Sequence, residues 1–303
     1  MRSRGFIQRA VLLVGVAAGC AFLGAAPAVA QPVTSGSWKF GGDPGDYISG
    51  GRDYKYSPVN GDALTVTGAE DKNHVGVSVS GVQGDWWSLD FAAPRGEALT
   101  AKTYDGATRY PFQGAGAGLS HGGNGRGCNT LTGTFTIQDI VWGPHGYVQK
   151  LDATYEQHCE GWEAALRGEI HIANAPAPAE LALEVDVAAE GKANPINGKA
   201  VISGTVSCNQ PVTVGVSGQV TQVKNNYINR GNYSTSVACK PGAPVPWTAQ
   251  ADPSGTTPFQ KGKAEVTSKA TAQDPNYNVP VAKEITKVVT LKKAAASGQS
   301  TED

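Results

Sequence analysis

Along much of the chain, hydrophobic and polar residues alternate with a period of two. Leu151, Ala153 and Tyr155 interleave with Lys150, Asp152, Thr154 and Glu156, and Leu166, Gly168, Ile170 and Ile172 interleave with Arg167, Glu169 and His171. The second half repeats the pattern: Ile202, Gly204 and Val206, then Val212, Val214 and Val216, then Ala264, Val266 and Ala270 alternate with Ser203, Thr205, Thr213, Glu265, Thr267 and Lys269. A period of two belongs to strands that bury one face and wet the other. Turn sequences separate the runs at Pro58-Val59-Asn60-Gly61, Gly143-Pro144-His145-Gly146 and Asp252-Pro253-Ser254-Gly255. No amphipathic helix longer than about three turns follows residue 30. The expected fold is all-β, with antiparallel sheets stacked as β-sandwiches.

Two domains are expected. The stretch Asn174-Ala175-Pro176-Ala177-Pro178-Ala179-Glu180 reads as a stiff Pro/Ala linker between a first domain at 31–173 and a second at 181–291. Charge changes sign across it. Residues 31–176 carry 10 basic and 16 acidic side chains, net −6, whereas residues 177–303 carry 12 and 10, net +2. Residues 292–303 read as a disordered tail.

Residues 1–30 have the layout of a secretory signal peptide: Arg2, Arg4 and Arg9, an apolar run from Ala10 to Ala26, and Ala28-Val29-Ala30 as a cleavage site. The mature chain is expected to start at Gln31, secreted, with no membrane anchor. A competing reading takes Val16-Ala17-Ala18-Gly19-Cys20 as a lipid-attachment site at Cys20. Cleavage after Ala30 removes one of five cysteines and leaves Cys128, Cys159, Cys208 and Cys239. In an oxidising compartment four cysteines pair. The differences 159−128 and 239−208 both equal 31, which favours two local bridges, each clasping the open end of a long hairpin. The mean positions, 143.5 and 223.5, place the turns near Gly143–Gly146 and Val223–Asn226. A loop of that length is worth about 3–4 kcal/mol in the chain-entropy account.

Composition then narrows the chemistry. Glycine supplies 39 of 303 residues and charged residues only 17%. The mature charge of −4 (22 basic, 26 acidic) argues against nucleic acid as a partner. Gly118-Leu119-Ser120-His121-Gly122 matches the G-x-S-x-G elbow of serine hydrolases, but its setting, Gly114 to Gly127, reads as a glycine-dense loop without the strand and helix the elbow needs. No histidine pair has metal-ligand spacing, and no cofactor is expected. Asp43 and Asp46, on a tight turn, are the one cation expectation, for calcium. Asp152 and Glu156 lie about 13 Å apart along a strand, too far for a glycosidase pair.

Aromatic residues are the stronger lead. Trp86 and Trp87 are adjacent in an extended run and must face opposite ways. Alternation sends Trp87 inward with Leu89 and Phe91 and leaves Trp86 outside as a platform for a sugar or a protein partner. Trp142, Trp162 and Arg126 complete the candidate ligand-binding set.

The runs Trp86-Trp87-Ser88-Leu89-Asp90-Phe91-Ala92-Ala93-Pro94, Ala107-Thr108-Arg109-Tyr110-Pro111-Phe112, Gly125-Arg126-Gly127-Cys128-Asn129 and Glu156-Gln157-His158-Cys159-Glu160-Gly161 resemble a domain of secreted bacterial proteins of uncharacterised function. The resemblance spans nearly all of the first half and implies a cysteine pair but no activity. The second half resembles an immunoglobulin-like domain in its length, its roughly seven strands and its lone Trp247. It departs from the antibody arrangement because Trp247 follows both cysteines. More weakly, it also resembles small exported domains with one cysteine pair. The expected function is a secreted binding or structural protein that recognises an extracellular glycan or a surface protein. The alternative is a hydrolase using carboxylates of the first domain.

Overall fold

The computed structural model describes residues 30–224 and 226–294. The expected leader up to residue 29, the lipid site at Cys20 and the expected tail beyond residue 294 lie outside the described residues. Among those described, the regular elements are strands apart from two short 3-10 turns, Pro58–Asn60 and Pro144–Gly146. No described helix is long and apolar enough to cross a membrane.

The first sheet holds β1 (Gln31–Pro32), β2 (Gly36–Gly42), β3 (Tyr54–Tyr56), β4 (Ala63–Gly68), β5 (His74–Ser80), β6 (Trp86–Ala92), β7 (Lys102–Arg109), β8 (Gly118–Gly123), β9 (Leu131–Trp142), β10 (Val148–Cys159) and β11 (Ala165–Ala173). Their spatial order is β1-β4-β5-β6-β8-β7-β9-β10-β11-β2-β3, and the sheet curls into a half-barrel. β1 and β2 belong to one extended segment that pairs first with β4 and then with β11, tying distant parts of the sheet together. The second sheet holds β12 (Leu183–Val187), β13 (Glu190–Ala193), β14 (Ala200–Cys208), β15 (Val212–Lys224), β16 (Tyr227–Cys239), β17 (Val245–Pro253), β18 (Gly262–Gln273) and β19 (Pro280–Lys293). Pairing of β14 with β17 closes it into a barrel. Each sheet surrounds its own core, one running from Val33 to Ile172 and the other from Leu181 to Leu291.

The alternation sorts faces as expected: Leu151, Ala153, Tyr155, Leu166, Ile170 and Ile172 are buried, as are Ile202, Val206, Val214, Val216, Ala264, Val266 and Ala270. Glycines at inward positions have a specific task. Gly168 pairs with Tyr155, Gly123 with Trp87, Gly204 with Trp247 and Gly218 with Tyr233. In every pair the aromatic ring lies across the strand where the glycine side chain would stand. A Cβ would come within 2.6 Å of the Trp87 and Trp247 rings and 2.7 Å of the Tyr233 ring, and closer still to the Tyr155 ring. Cross-strand neighbours face one another closely enough for a ring to need that space.

Both expected disulfides form, Cys128–Cys159 and Cys208–Cys239. The first closes the open end of the β9–β10 hairpin, whose turn spans 143–147. The second closes the β15–β16 hairpin, whose last pair, Lys224 with Tyr227, falls at the expected turn; in both hairpins the first cysteine precedes its strand, so that Leu131 opposes Cys159 and Val212 opposes Cys239. Lys292 and Lys293, expected in the tail, extend β19 and pair in parallel with β13. The Pro/Ala linker is held from both sides: Tyr147 donates its hydroxyl to the Ala175 carbonyl, while Asn276 and Gln210 both donate to Ala179 and Asn209 donates to Glu180.

Gly168→Ala is expected to destabilise the protein by about 1–3 kcal/mol through overpacking against Tyr155. Gly127→Ala, at a site where an added Cβ meets no atom within 4 Å, should leave the denaturation midpoint unchanged. Equal midpoints for the two variants in urea melts would refute the pairing argument.

Candidate functional site

One register row crosses five strands of the first sheet: Tyr54 opposes Phe40, Phe40 opposes Gly168, Gly168 opposes Tyr155 and Tyr155 opposes Phe135. All these residues direct their side chains, or in Gly168 the missing one, to the inside. On the outside they leave bare backbone. Their sequence neighbours point outward and rise on either side of it, with Lys55, Lys39, Glu169, Thr154 and Thr136 along one flank and Asp53, Arg167, Glu156 and Thr134 along the other. The result is an open trough of about 890 Å³ running across the strands. Strand spacing makes it about 19 Å long, and two-residue periodicity sets its flanks about 7 Å apart.

The flanks carry three cations, Lys39, Lys55 and Arg167, and three anions, Asp53, Glu156 and Glu169. Ion pairs hold several of them in place: Lys39 Nζ lies 2.7 Å from Glu169, and Arg167 bridges Glu156 at 2.6 Å and Asp43 at 2.9 Å. His158 and Arg167 hold the Glu156 carboxyl below its ordinary range, and Lys39 does the same for Glu169. Asp53 lies over Gly41, whose Cβ would overlap its carboxylate.

The structure distributes the sequence candidates over the domain. Trp86 and Trp162 are each about half exposed (51%), and Trp87 is buried (1%), as alternation requires. Trp86 starts β6, whereas Trp162 lies in the turn between β10 and β11, where its carbonyl is 3.2 Å from His158 Nδ1 on the trough face. Arg126 stacks its guanidinium 5.1 Å from the Trp87 ring centroid, covering the core at the same end of the sheet. Trp142 is at the opposite end, next to the linker; it packs against the core and donates its indole N–H to the Leu99 carbonyl at 3.4 Å. These four do not form one site.

Gly114 to Gly127 is a loop only at its two ends, 114–117 and 124–127. Gly118–Gly123 is strand β8, because glycines there accommodate Trp87 and the closely opposed backbone of β6. Ser120 sits within this strand opposite Asp90, and His74 Nε2 is 2.9 Å from Asp90. A serine-hydrolase relay needs histidine between serine and carboxylate; here the carboxylate is in the middle. Asp43 accepts hydrogen bonds from the Ala165 amide and Arg167, and Asp46 accepts from the Ser49 amide and hydroxyl. These turn and ion-pair contacts give both residues a structural role where sequence suggested calcium. No group of three potential metal-ligating side chains occurs among the described residues.

Sequence reading missed the buried chain behind the trough. Tyr155 accepts the Trp38 indole N–H at 3.0 Å and donates to His121 Nδ1 at 2.8 Å, while the Gln157 amide clasps the His121 backbone from both sides. Burial lowers the His121 pKa to about 3, so the ring stays neutral. Its Nε2 has no hydrogen-bond partner, and the ring stands edge-on to Phe40 at 4.3 Å. It also missed Lys39, Asp53, Lys55, Thr134 and Thr136. The outward parity of Lys150, Thr154, Glu156, Arg167 and Glu169 was legible, but which strand lies beside which was not.

No protein-family model matches the chain, and no curated protein is detectably similar to it in sequence.

The His121 environment sets a pH dependence. On acidification the unfolded chain takes up a proton near the ordinary histidine pKa of 6.5, and the folded one only near 3. The unfolded state thus binds more protons in this window, and stability falls as pH drops, by up to about 1.4 kcal/mol per unit. Urea midpoints measured between pH 6.5 and 5, above the carboxylate range, should decline in the wild type and flatten in His121→Gln. A wild-type midpoint independent of pH there would contradict the buried neutral ring.

Proposed function

We propose that the protein is an exported, non-catalytic binding protein whose first half holds a neutral, hydroxyl-rich extracellular polymer, a glycan, in the trough. The observation that carries this reading is the trough's balance: three positive and three negative groups with three threonines around an elongated backbone floor. Polyanions would be met by as many repulsive as attractive charges, whereas hydroxyl groups find both donors and acceptors. Trp162, half exposed in the turn whose carbonyl contacts His158, would supply a ring for a sugar to stack on at the trough's end. The two disulfides fit an oxidising compartment outside the cytoplasm.

Binding is favoured over glycoside hydrolysis because Glu156 and Glu169, two of the trough's three carboxylates, are held ionised by cationic neighbours. A glycosidase needs a carboxylic acid kept protonated near neutral pH. In a glycan panel, Thr154→Arg, which fills the trough, and Trp162→Ala should each weaken binding about tenfold. Trp86→Ala should bind as wild type. Unchanged binding by Thr154→Arg, or loss with Trp86→Ala alone, would move the site elsewhere. Turnover of any panel member would replace binding with catalysis.

A further inference from the structure

The second barrel has an amphipathic feature at the end away from the linker. The β15–β16 ladder continues to its last pair, Lys224 opposite Tyr227, and three large apolar side chains are exposed at this end: Val223 (67%), Tyr227 (70%) and Ile228 (58%). Val223 and Ile228 oppose one another and share one face. Scattered surface hydrophobes are ordinary, but the Val223–Ile228 pair on one face, with Tyr227 beside Lys224 on the other, makes this end apolar on both sides.

The charge around them is predominantly positive. From Gly191 to Ala251 the chain contains no aspartate or glutamate, while Lys192, Lys199, Lys224, Arg230 and Lys240 lie in that stretch. At the tip, the Lys224 ammonium reaches the Lys261 carbonyl at 3.3 Å, and Gln222 grips the Gln260 backbone, which brings Lys261 and Lys263 beside the hairpin. The described ion pairs of this half join Lys199 to Asp252, Lys283 to Glu184, Lys287 to Asp186 and Lys292 to Glu190, and use none of Lys224, Arg230, Lys261 or Lys263. The nearest acid along the sheet is Glu265, beside Thr221, below the tip. Between the hairpin and the 257–260 loop is a cavity of about 260 Å³ lined by Lys224, Tyr227, Asn229, Thr257 and Pro258.

We propose that this tip docks the protein on an anionic lipid bilayer, with Val223, Ile228 and the Tyr227 ring entering the interface and Lys224, Arg230, Lys261 and Lys263 meeting lipid phosphates. Apolar side chains enter the headgroup boundary, a tyrosine ring suits its half-wet depth, and each surface lysine or arginine adds attraction to anionic lipid. The cavity beneath Tyr227 is of a size for one headgroup. An acidic protein or a soluble polyanion would use the cations but has no need of the exposed Val223–Ile228 pair. The docking does not depend on the trough's ligand.

The full chain should co-sediment with phosphatidylcholine vesicles containing a third phosphatidylglycerol and remain in solution with phosphatidylcholine alone. A Val223→Ser, Ile228→Ser double variant and Lys224→Glu, all at exposed or half-exposed positions, should each reduce the bound fraction about tenfold with unchanged melting temperature. Absence of wild-type sedimentation at low salt would overturn the proposal. So would full binding by the serine variant, since the contact would then be to charge alone.

Discussion

The inward side of each sheet depends on a glycine set opposite a large aromatic ring. Tyr155, Trp87, Trp247 and Tyr233 are too large to stand upright beside an ordinary cross-strand neighbour, and each lies over a glycine instead. A ring laid along the sheet buries its area against backbone, so the sheet curls around it without leaving a void. The same device in both halves gives four of the 39 glycines a packing explanation.

In the first half this constraint reaches the outer surface. Gly168 accommodates Tyr155 on the inside, and on the outside the same residue is the middle of the trough floor. Tyr155 cannot tilt, because its hydroxyl is held between Trp38 and the neutral His121. The floor is therefore as rigid as the core beneath it, and the ion pairs of Lys39 and Arg167 fix the flanks above. A preformed groove on strands loses little conformational entropy on binding. The exposed pairs themselves contribute little to stability and act to position side chains.

The parity of the strands was legible from sequence because side-chain direction has a period of two, and Leu151 to Glu156 obeys it without exception. The disulfide pairing was legible because equal spacing mirrors two hairpins, each with its first cysteine a few residues ahead of the strand. Gly118–Gly123 was misread as loop since glycine lowers strand propensity when considered alone; only the opposed Trp87 explains why that strand needs it. The trough was invisible for a different reason. Lys39 and Glu169 are separated by 130 residues, and their adjacency follows from pairing of β2 with β11, which no local pattern encodes. The Trp38–Tyr155–His121 chain likewise joins three strands.

One register row builds the core on its inner side and the floor of the trough, the proposed binding surface, on its outer side. Amide hydrogen exchange or chemical-shift mapping with a panel glycan bound tests it most directly. Perturbations are predicted along Phe40, Gly168, Tyr155 and Phe135 and on the flanking Lys39, Thr154 and Glu169. Perturbations confined to Trp86 and Arg126, or to the second barrel, would contradict it.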